Sequence, residues 1–346
     1  MVIGIIGAGL AGLIAGRELS RAGFDVTVIE KSRGYGGRLS TRYENNQPDI
    51  KYDHGVSWFD ARSPLFKQFV VELMEQNLLM RWGDNIRYDD GSHSLTEDPN
   101  QRSQPVFTAK GGMNQIGKYL SRWVDVKTET LAGGLTYFGA NRTRKKAWMI
   151  NLTASGVFEA DAVIVATPAP QAYGLLQTST DETDTLKIIR EIDEIRYESC
   201  YSLMAHYKDH KPPEWDAIKV HGNELKTITN ENSKHRNGEN DSTFVIQTTH
   251  QFATYLHSLK DKEKASKLIL QKFSEIAGTY ATQPDWSQLH YWKYSRALKT
   301  LDSRFMQMGD QEAPLAVIGD YFTGNTVEDS FLSGYSLAQQ WKEKFL

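Results

Sequence analysis

Val2-Ile3-Gly4-Ile5-Ile6-Gly7-Ala8-Gly9-Leu10-Ala11-Gly12-Leu13-Ile14-Ala15-Gly16, continued by Phe24-Asp25-Val26-Thr27-Val28-Ile29-Glu30, is the stretch whose reading decides the fold. The β-branched run over 2–6 predicts a buried parallel strand. Leu13, Ile14, Ala15 and Leu19 then carry a helical pattern as far as Ala22, and Gly23 ends it. A second strand follows over 24–29 and closes on Glu30. Each part has a physical task in binding a dinucleotide. Gly7 permits the tight strand-to-helix turn, Gly9 lets a pyrophosphate approach the backbone, and Gly12 lets helix and strand pack closely. The helix N-terminus at Leu10 and Ala11 supplies free N–H groups and a positive partial charge. Glu30 can accept hydrogen bonds from both hydroxyls of an adenosine ribose.

The same apolar start could be read as a targeting signal. No Lys or Arg precedes it, and Arg17 and Glu18 interrupt it before a span of membrane length accumulates. The expectation is a cytoplasmic protein without membrane attachment. The chain has 346 residues, a length that suggests about two domains. A formal net charge of -3 argues against a partner held by phosphate neutralisation, so no nucleic acid is expected. Cys200 is the single cysteine, which excludes an internal disulfide, a CxxC pair and a cysteine-based metal site.

Working outward, Lys31 is followed by a glycine-rich loop, Gly34, Gly36 and Gly37, and then by Arg38, which can pair bidentately with a phosphate. Leu315 to Ile318 reads as a short buried strand leading into Gly319-Asp320. A helix opens at Val327, with Thr326 as N-cap and Glu328 and Asp329 in its first turn. Ser330, Ser333 and Gly334 are small enough for a bulky ligand to lie against it. Ala160 to Pro168 reads as a buried strand ending in a turn at Thr167, and Trp123 to Thr130 as another strand.

The 30–38 element resembles the FAD-site loop of amine-oxidase-type flavoproteins, and the 160–168 strand resembles one that contacts their cofactor. Four further segments resemble renalase-like flavoproteins: Asp53 to Arg62, Asn230 to Arg236, Leu289 to Ser295, and Gly319-Asp320 with Val327 to Gly334. The resemblance implies non-covalent FAD, held by Gly7, Gly9, Leu10, Ala11, Gly12, Glu30, Lys31, Gly37, Arg38, Gly55, Val126, Thr167, Gly319, Asp320 and Val327. It implies a substrate pocket walled by Trp58, Trp292 and Tyr294. It also implies a small-molecule substrate, a misreduced dihydro-NAD(P) isomer. Its hydride passes to flavin N5, and oxygen reoxidises the flavin to give hydrogen peroxide. The chain departs from the renalase pattern at Ser57 and Trp58, where Gln and Tyr are usual, at His235 in place of Pro, and at Asn325-Thr326.

The implied architecture is α/β: a Rossmann-like FAD-binding domain with an interleaved sheet-based substrate domain, as in p-hydroxybenzoate hydroxylase. The expected FAD-binding pieces are 1–60, 106–170 and 290–346, and the substrate-binding pieces 61–105 and 171–289. Helices are predicted over 62–80, 178–193 (on a solvated surface) and 260–276, and strands over 197–207 and 243–248. No metal site is expected. His206 and His210 have the spacing of helical ligands but sit in a strand pattern with no acidic partner in sequence. Arg142, Arg144, Lys145 and Lys146 read as a solvated hairpin tip, and Asp181 to Asp184 as a solvated helix start. With no second glycine fingerprint, a nicotinamide substrate would have to reach the flavin directly. The competing readings are a flavin amine oxidase or desaturase, in which Lys293 would lie near N5, and a non-catalytic flavin-binding protein.

Overall fold

The computed structural model describes residues 1–346 except 46, 92–94, 98–104, 139–144, 154–155, 180–182, 223 and 309–312. Arg142, Arg144, Asp181 and Glu182 therefore lie outside the described residues. The chain forms two compact units: unit 1 is 1–39, 114–197 and 297–346, and unit 2 is 40–113 and 198–296.

Unit 1 is built on a six-stranded sheet in the order 125–127, Asp25–Ile29, Val2–Ile6, Ala162–Val165, Leu315–Val317, Met306–Gln307. The first five strands are parallel and the last is antiparallel. Ile5 lies between Val28 and Ile164, and Ile164 pairs onward with Ala316. The central strands are buried on both faces, as their unbroken apolar runs require. One face is covered by a three-stranded antiparallel sheet, Ala132–Tyr137, Trp148–Leu152 and Gly156–Ala160. Gly4 makes room for it, because a Cβ there would lie 2.6 Å from Ile150 Cδ1. Helix Leu10–Arg21 packs against the terminal helix Val327–Phe345 so closely that a Cβ on Gly334 would lie 2.2 Å from the Ala11 carbonyl oxygen. Gly334 therefore serves helix packing, where the sequence suggested room for a ligand.

The strand expected over 123–130 is only Asp125–Lys127, preceded by a 3-10 turn at Ser121–Trp123. Helix Thr183–Asp193 belongs to unit 1, not to the substrate-binding pieces, and it is not simply solvated. Its Ile188, Ile189 and Ile192 are buried in the core with Leu176 and Leu315.

Unit 2 is built on a seven-stranded sheet in the order 286–297, 197–207, 242–248, 225–230, 217–220, 86–89, 95–97. Side chains alternate across it. Leu203, Ala205 and Tyr207 join Phe244, Ile246 and Phe273 in a core closed by helices His250–Ser258 and Lys262–Ala277. Met204 joins Ile50, Tyr52 and Val245 in a second cluster, with Trp286 packed against it. That packing places residues 40–60 in unit 2, although they were expected among the FAD-binding pieces. The helix expected over 62–80 is Pro64–Glu75, capped by Ser63. It stops early because Asn77 turns into the left-handed region, φ 57°, and Leu79–Trp82 continues as a strand.

Candidate cofactor and substrate sites

In unit 1 the glycine loop is set by close packing. Gly7 has φ +109°, a conformation that favours glycine, and its N–H donates to Ile29 O at 2.8 Å. A Cβ on Gly12 would lie 2.2 Å from Gly7 O, whereas one on Gly9 would meet nothing within 4 Å. Gly12 is thus needed by the protein itself, and Gly9 borders open space at the N-terminus of the first helix. The following loop folds back on the first: Gly36 N–H donates to Ala8 O at 2.8 Å, and a Cβ on Gly37 would lie 3.2 Å from Gly9 Cα. Lys31 is exposed.

Glu30 is buried, and its two carboxylate oxygens accept from Ala8 N–H and Ser32 N–H, each at 2.8 Å. Each oxygen keeps lone-pair capacity for a ribose hydroxyl. Arg38 closes its guanidinium fork on Asp320 with two hydrogen bonds of 2.7 Å. Burial alone would lower the Arg38 pKa, but Asp320 beside it raises it. The two residues come from opposite ends of the sequence, and their partnership cannot be read from either motif alone. Asp320 is held next to Gly319, whose N–H donates to Ser333 Oγ at 3.0 Å. Ser333 is thereby occupied by the backbone. Val327 begins the terminal helix, which carries a full capping box between Thr326 and Asp329. Val126 pairs with Val28 at the sheet edge.

Thr167 lies just beyond the strand that ends at Val165, and its Oγ1 is buried without a hydrogen-bond partner. An orphaned hydroxyl is costly. With the open space at Gly9, it is what an absent polar ligand leaves behind. The residues present fit FAD: a pyrophosphate at the glycine loop and a ribose at Glu30.

In unit 2 the motif residues form a charge cluster invisible in the sequence. Asp53 Oδ2 accepts from Lys234 Nζ at 2.9 Å and from Arg236 Nη2 at 2.6 Å. Glu231 accepts from Lys234 Nζ at 2.8 Å and from Arg236 Nη2, and takes the Asp53 N–H at 3.1 Å. Asp53 Oδ1 accepts from Thr41 Oγ1 and Met113 N–H. Two anions and two cations are thus buried as a neutral quartet. Burial would raise the Asp53 carboxyl, but Arg236 and Lys234 hold it well below the usual carboxylate range.

Ser57 is buried and donates to Asp53 O at 2.9 Å, so it closes a turn. Trp58 packs with Trp82 at 5.2 Å in a cluster with Ile86 and Ala217. His235 has φ +55°, and its N–H donates to Asn232 O at 2.9 Å. A proline could satisfy neither condition, so this loop turns in a way the renalase pattern does not. Asn325 donates to Ala297 O and Thr326 caps the terminal helix, which gives that departure a structural role.

Trp292 Nε1 donates to His54 O at 2.9 Å, and the two rings stack 5.4 Å apart. Lys293 Nζ lies 5.3 Å from the Tyr294 ring centroid. Gly55 accepts from Gln247 Nε2 at 2.8 Å through its carbonyl. His206 was read as lacking acidic partners, yet Nδ1 lies 3.1 Å from Glu44 and Nε2 3.1 Å from Asp241. Tertiary folding brings both carboxylates in; among the described residues no group of His, Cys, Asp and Glu could hold a metal. Cys200 is buried, and burial pushes its thiol up to about 11. Among the described residues no helix is long and apolar enough to cross a membrane.

The sequence profile of the NAD(P)-binding Rossmann-like domain matches residues 5–73, and that of the flavin-containing amine oxidoreductases matches residues 87–340. The chain belongs to the flavin-containing amine oxidoreductase family. Its cofactor is FAD. Similar proteins include polyamine oxidase 5 of Oryza sativa subsp. japonica, 32% identical over 135 residues, covering 36% of this chain and 25% of that protein. The L-glutamate oxidase precursor of Streptomyces diastatochromogenes is 38% identical over 78 residues, 21% of this chain and 11% of that one. The matches thus span about a quarter or less of these relatives' length. The structure of wild-type putrescine oxidase bound to putrescine superposes with a TM-score of 0.73 at 13% identity, covering 98% of this chain and 99% of that one. That likeness is one of fold: a Rossmann-like FAD-binding domain with a sheet-based substrate domain.

Proposed function

We propose that this flavoprotein is an oxidase of renalase type, acting on 2- and 6-dihydro isomers of NAD(P)H. The observation that supports this reading best is the buried quartet. The Asp53 and Asn230–Arg236 segments, which carry much of the resemblance to renalases, are clipped to one another by Asp53, Glu231, Lys234 and Arg236. When bound, FAD supplies two-electron chemistry, accepting a hydride at N5 and being reoxidised by oxygen with release of hydrogen peroxide. The chain's own task is to hold and orient. Leu10 and Ala11 offer backbone N–H groups beside Gly9, Glu30 takes the ribose, and Thr167, Gly319 and Asp320 line the strand ends. In unit 2, Trp292 and Tyr294 share the strand 286–297, and on this reading their rings wall the pocket of a planar substrate, with the Trp292 ring held in place by its stack on His54. No side-chain nucleophile is needed.

Oxidation of an amine is the second reading, favoured by the polyamine oxidase relative. Anaerobic mixing decides between them. Purified holoprotein is mixed with the 2- and 6-dihydro isomers, ordinary NADPH and a panel of amines while flavin absorbance is followed. Rapid bleaching by the isomers alone is expected; bleaching by amines alone overturns the renalase reading.

A further inference from the structure

Unit 2 contains buried donors that no described residue answers. Arg42 opens the short strand Arg42–Glu44, and its Nε is buried without a hydrogen-bond partner. Among the described residues it makes no ion pair. Its charge reaches two imidazoles. Burial, then His290 and Arg42, holds His54 down at about 3, and burial followed by Arg42 lowers His290. Both rings are neutral near pH 7, so each keeps one N–H to donate.

His54 is 5% exposed, and its Nδ1 has no partner. Ser40 Oγ lies 3.5 Å from its Nε2. When that hydroxyl donates, the ring proton sits on Nδ1 as an unused donor. The ring is not free to turn elsewhere. It stacks on Trp292 and meets His290 edge-on at 4.9 Å. The His54 carbonyl is pinned by Trp292 Nε1 and by Ser202 Oγ at 2.7 Å. Four other charges of the unit, Asp53, Glu231, Lys234 and Arg236, neutralise one another as a buried quartet, whereas half-buried Arg42 has no such partner among the described residues. Arg42 pairs with Tyr52, two residues before His54, so the buried Arg42 Nε–H and His54 Nδ1 belong to neighbouring strand ends, and a group of negative charge would answer both.

We propose that Arg42, His54 and His290 form a subsite for an anionic group of the substrate, a phosphate or a carboxylate. Arg42 supplies the charge and the Nε–H, His54 an oriented second donor, and Trp292 a wall. A cationic diamine meets the wrong sign of field here. The proposal deepens the function given above and rests on it only in assigning the anion to the substrate.

The test is calorimetric titration of the full-length, FAD-loaded protein with inorganic phosphate and, in a separate arm, with acetate. Arg42→Met is expected to weaken the anion that binds by about ten-fold or more. Arg42→Lys retains part of the affinity, and Lys262→Met, which removes an exposed charge, leaves it unchanged. Wild-type binding by Arg42→Met, or binding of neither anion by the wild type, overturns the subsite. Melting temperature and flavin content are read alongside. If Arg42→Met does not fold, Arg42→Lys and His54→Phe decide: weakened binding upholds the proposal, and unchanged binding in both overturns it. Preference for phosphate points to a nucleotide, preference for acetate to a carboxylate substrate. No flavin reduction is involved. Isomers that fail to bleach the flavin would therefore overturn the proposed reaction and leave the subsite standing.

Discussion

Lys234→Met tests the buried quartet most directly. Lys234 is 1% exposed and pairs with Asp53 at 2.9 Å and Glu231 at 2.8 Å. At an effective dielectric near 20, each pair is worth about 6 kcal/mol of Coulomb energy. The variant recovers several kcal/mol of lysine desolvation but leaves two carboxylates sharing Arg236, so a net loss of about 3–5 kcal/mol is expected. That is a large part of the roughly 5–15 kcal/mol that keeps a domain folded. The assay is denaturant unfolding followed by tryptophan fluorescence, because Trp82 Nε1 donates to Ser233 Oγ beside the cluster and its ring lies 5.7 Å from Lys234 Nζ. Glu231→Gln added to Lys234→Met restores neutrality and should recover about 2 kcal/mol. A single variant within about 1 kcal/mol of wild type, or a double variant no better than the single, would refute the neutral-quartet account.

Glu30→Ala should lower the flavin retained after gel filtration, since it removes the ribose acceptor and two loop hydrogen bonds; unchanged flavin content would contradict the assignment. Gly334→Ala should lower the melting temperature by several degrees, as its Cβ would press on the Ala11 carbonyl; an unshifted melt would mean the helices can part at no cost. His54 is held neutral when folded, so its contribution to stability is complete above about 6.5, the unfolded value, and drains away as pH falls toward about 3. Unfolding free energy measured across that window should slope less in His54→Gln, and an equal slope would argue against a neutral His54.

Both ends of the chain could be read because their signals are local. Gly7, Gly9, Gly12 and Glu30 sit within one strand–helix–strand unit, and Thr326 with Asp329 caps its helix within one turn. What escaped reading depends on residues far apart in sequence. Arg38 is separated from Asp320 by 282 positions and Asp53 from Arg236 by 183, and nothing near either member announces the other. His206 shows the same limit, since its carboxylates come from another strand and from a loop. Gly334 was misread because a small residue on a helix serves a ligand and a neighbouring helix equally well. Only the 2.2 Å approach to Ala11 separates the two uses.

The sheet of unit 1 places Leu315–Val317 directly beside Ala162–Val165, and the helix that starts the glycine loop leans on the one that ends the chain. During synthesis the helix of the phosphate loop is made long before residues 327–345, against which it packs. Until then the nascent chain carries an unfinished, apolar half-site, while unit 2 already has all of its residues by position 296. Unit 2 can therefore fold first, and cofactor capture waits for residues 327–345. This predicts that cellular flavin supply affects yield only once residues 327–345 have been made.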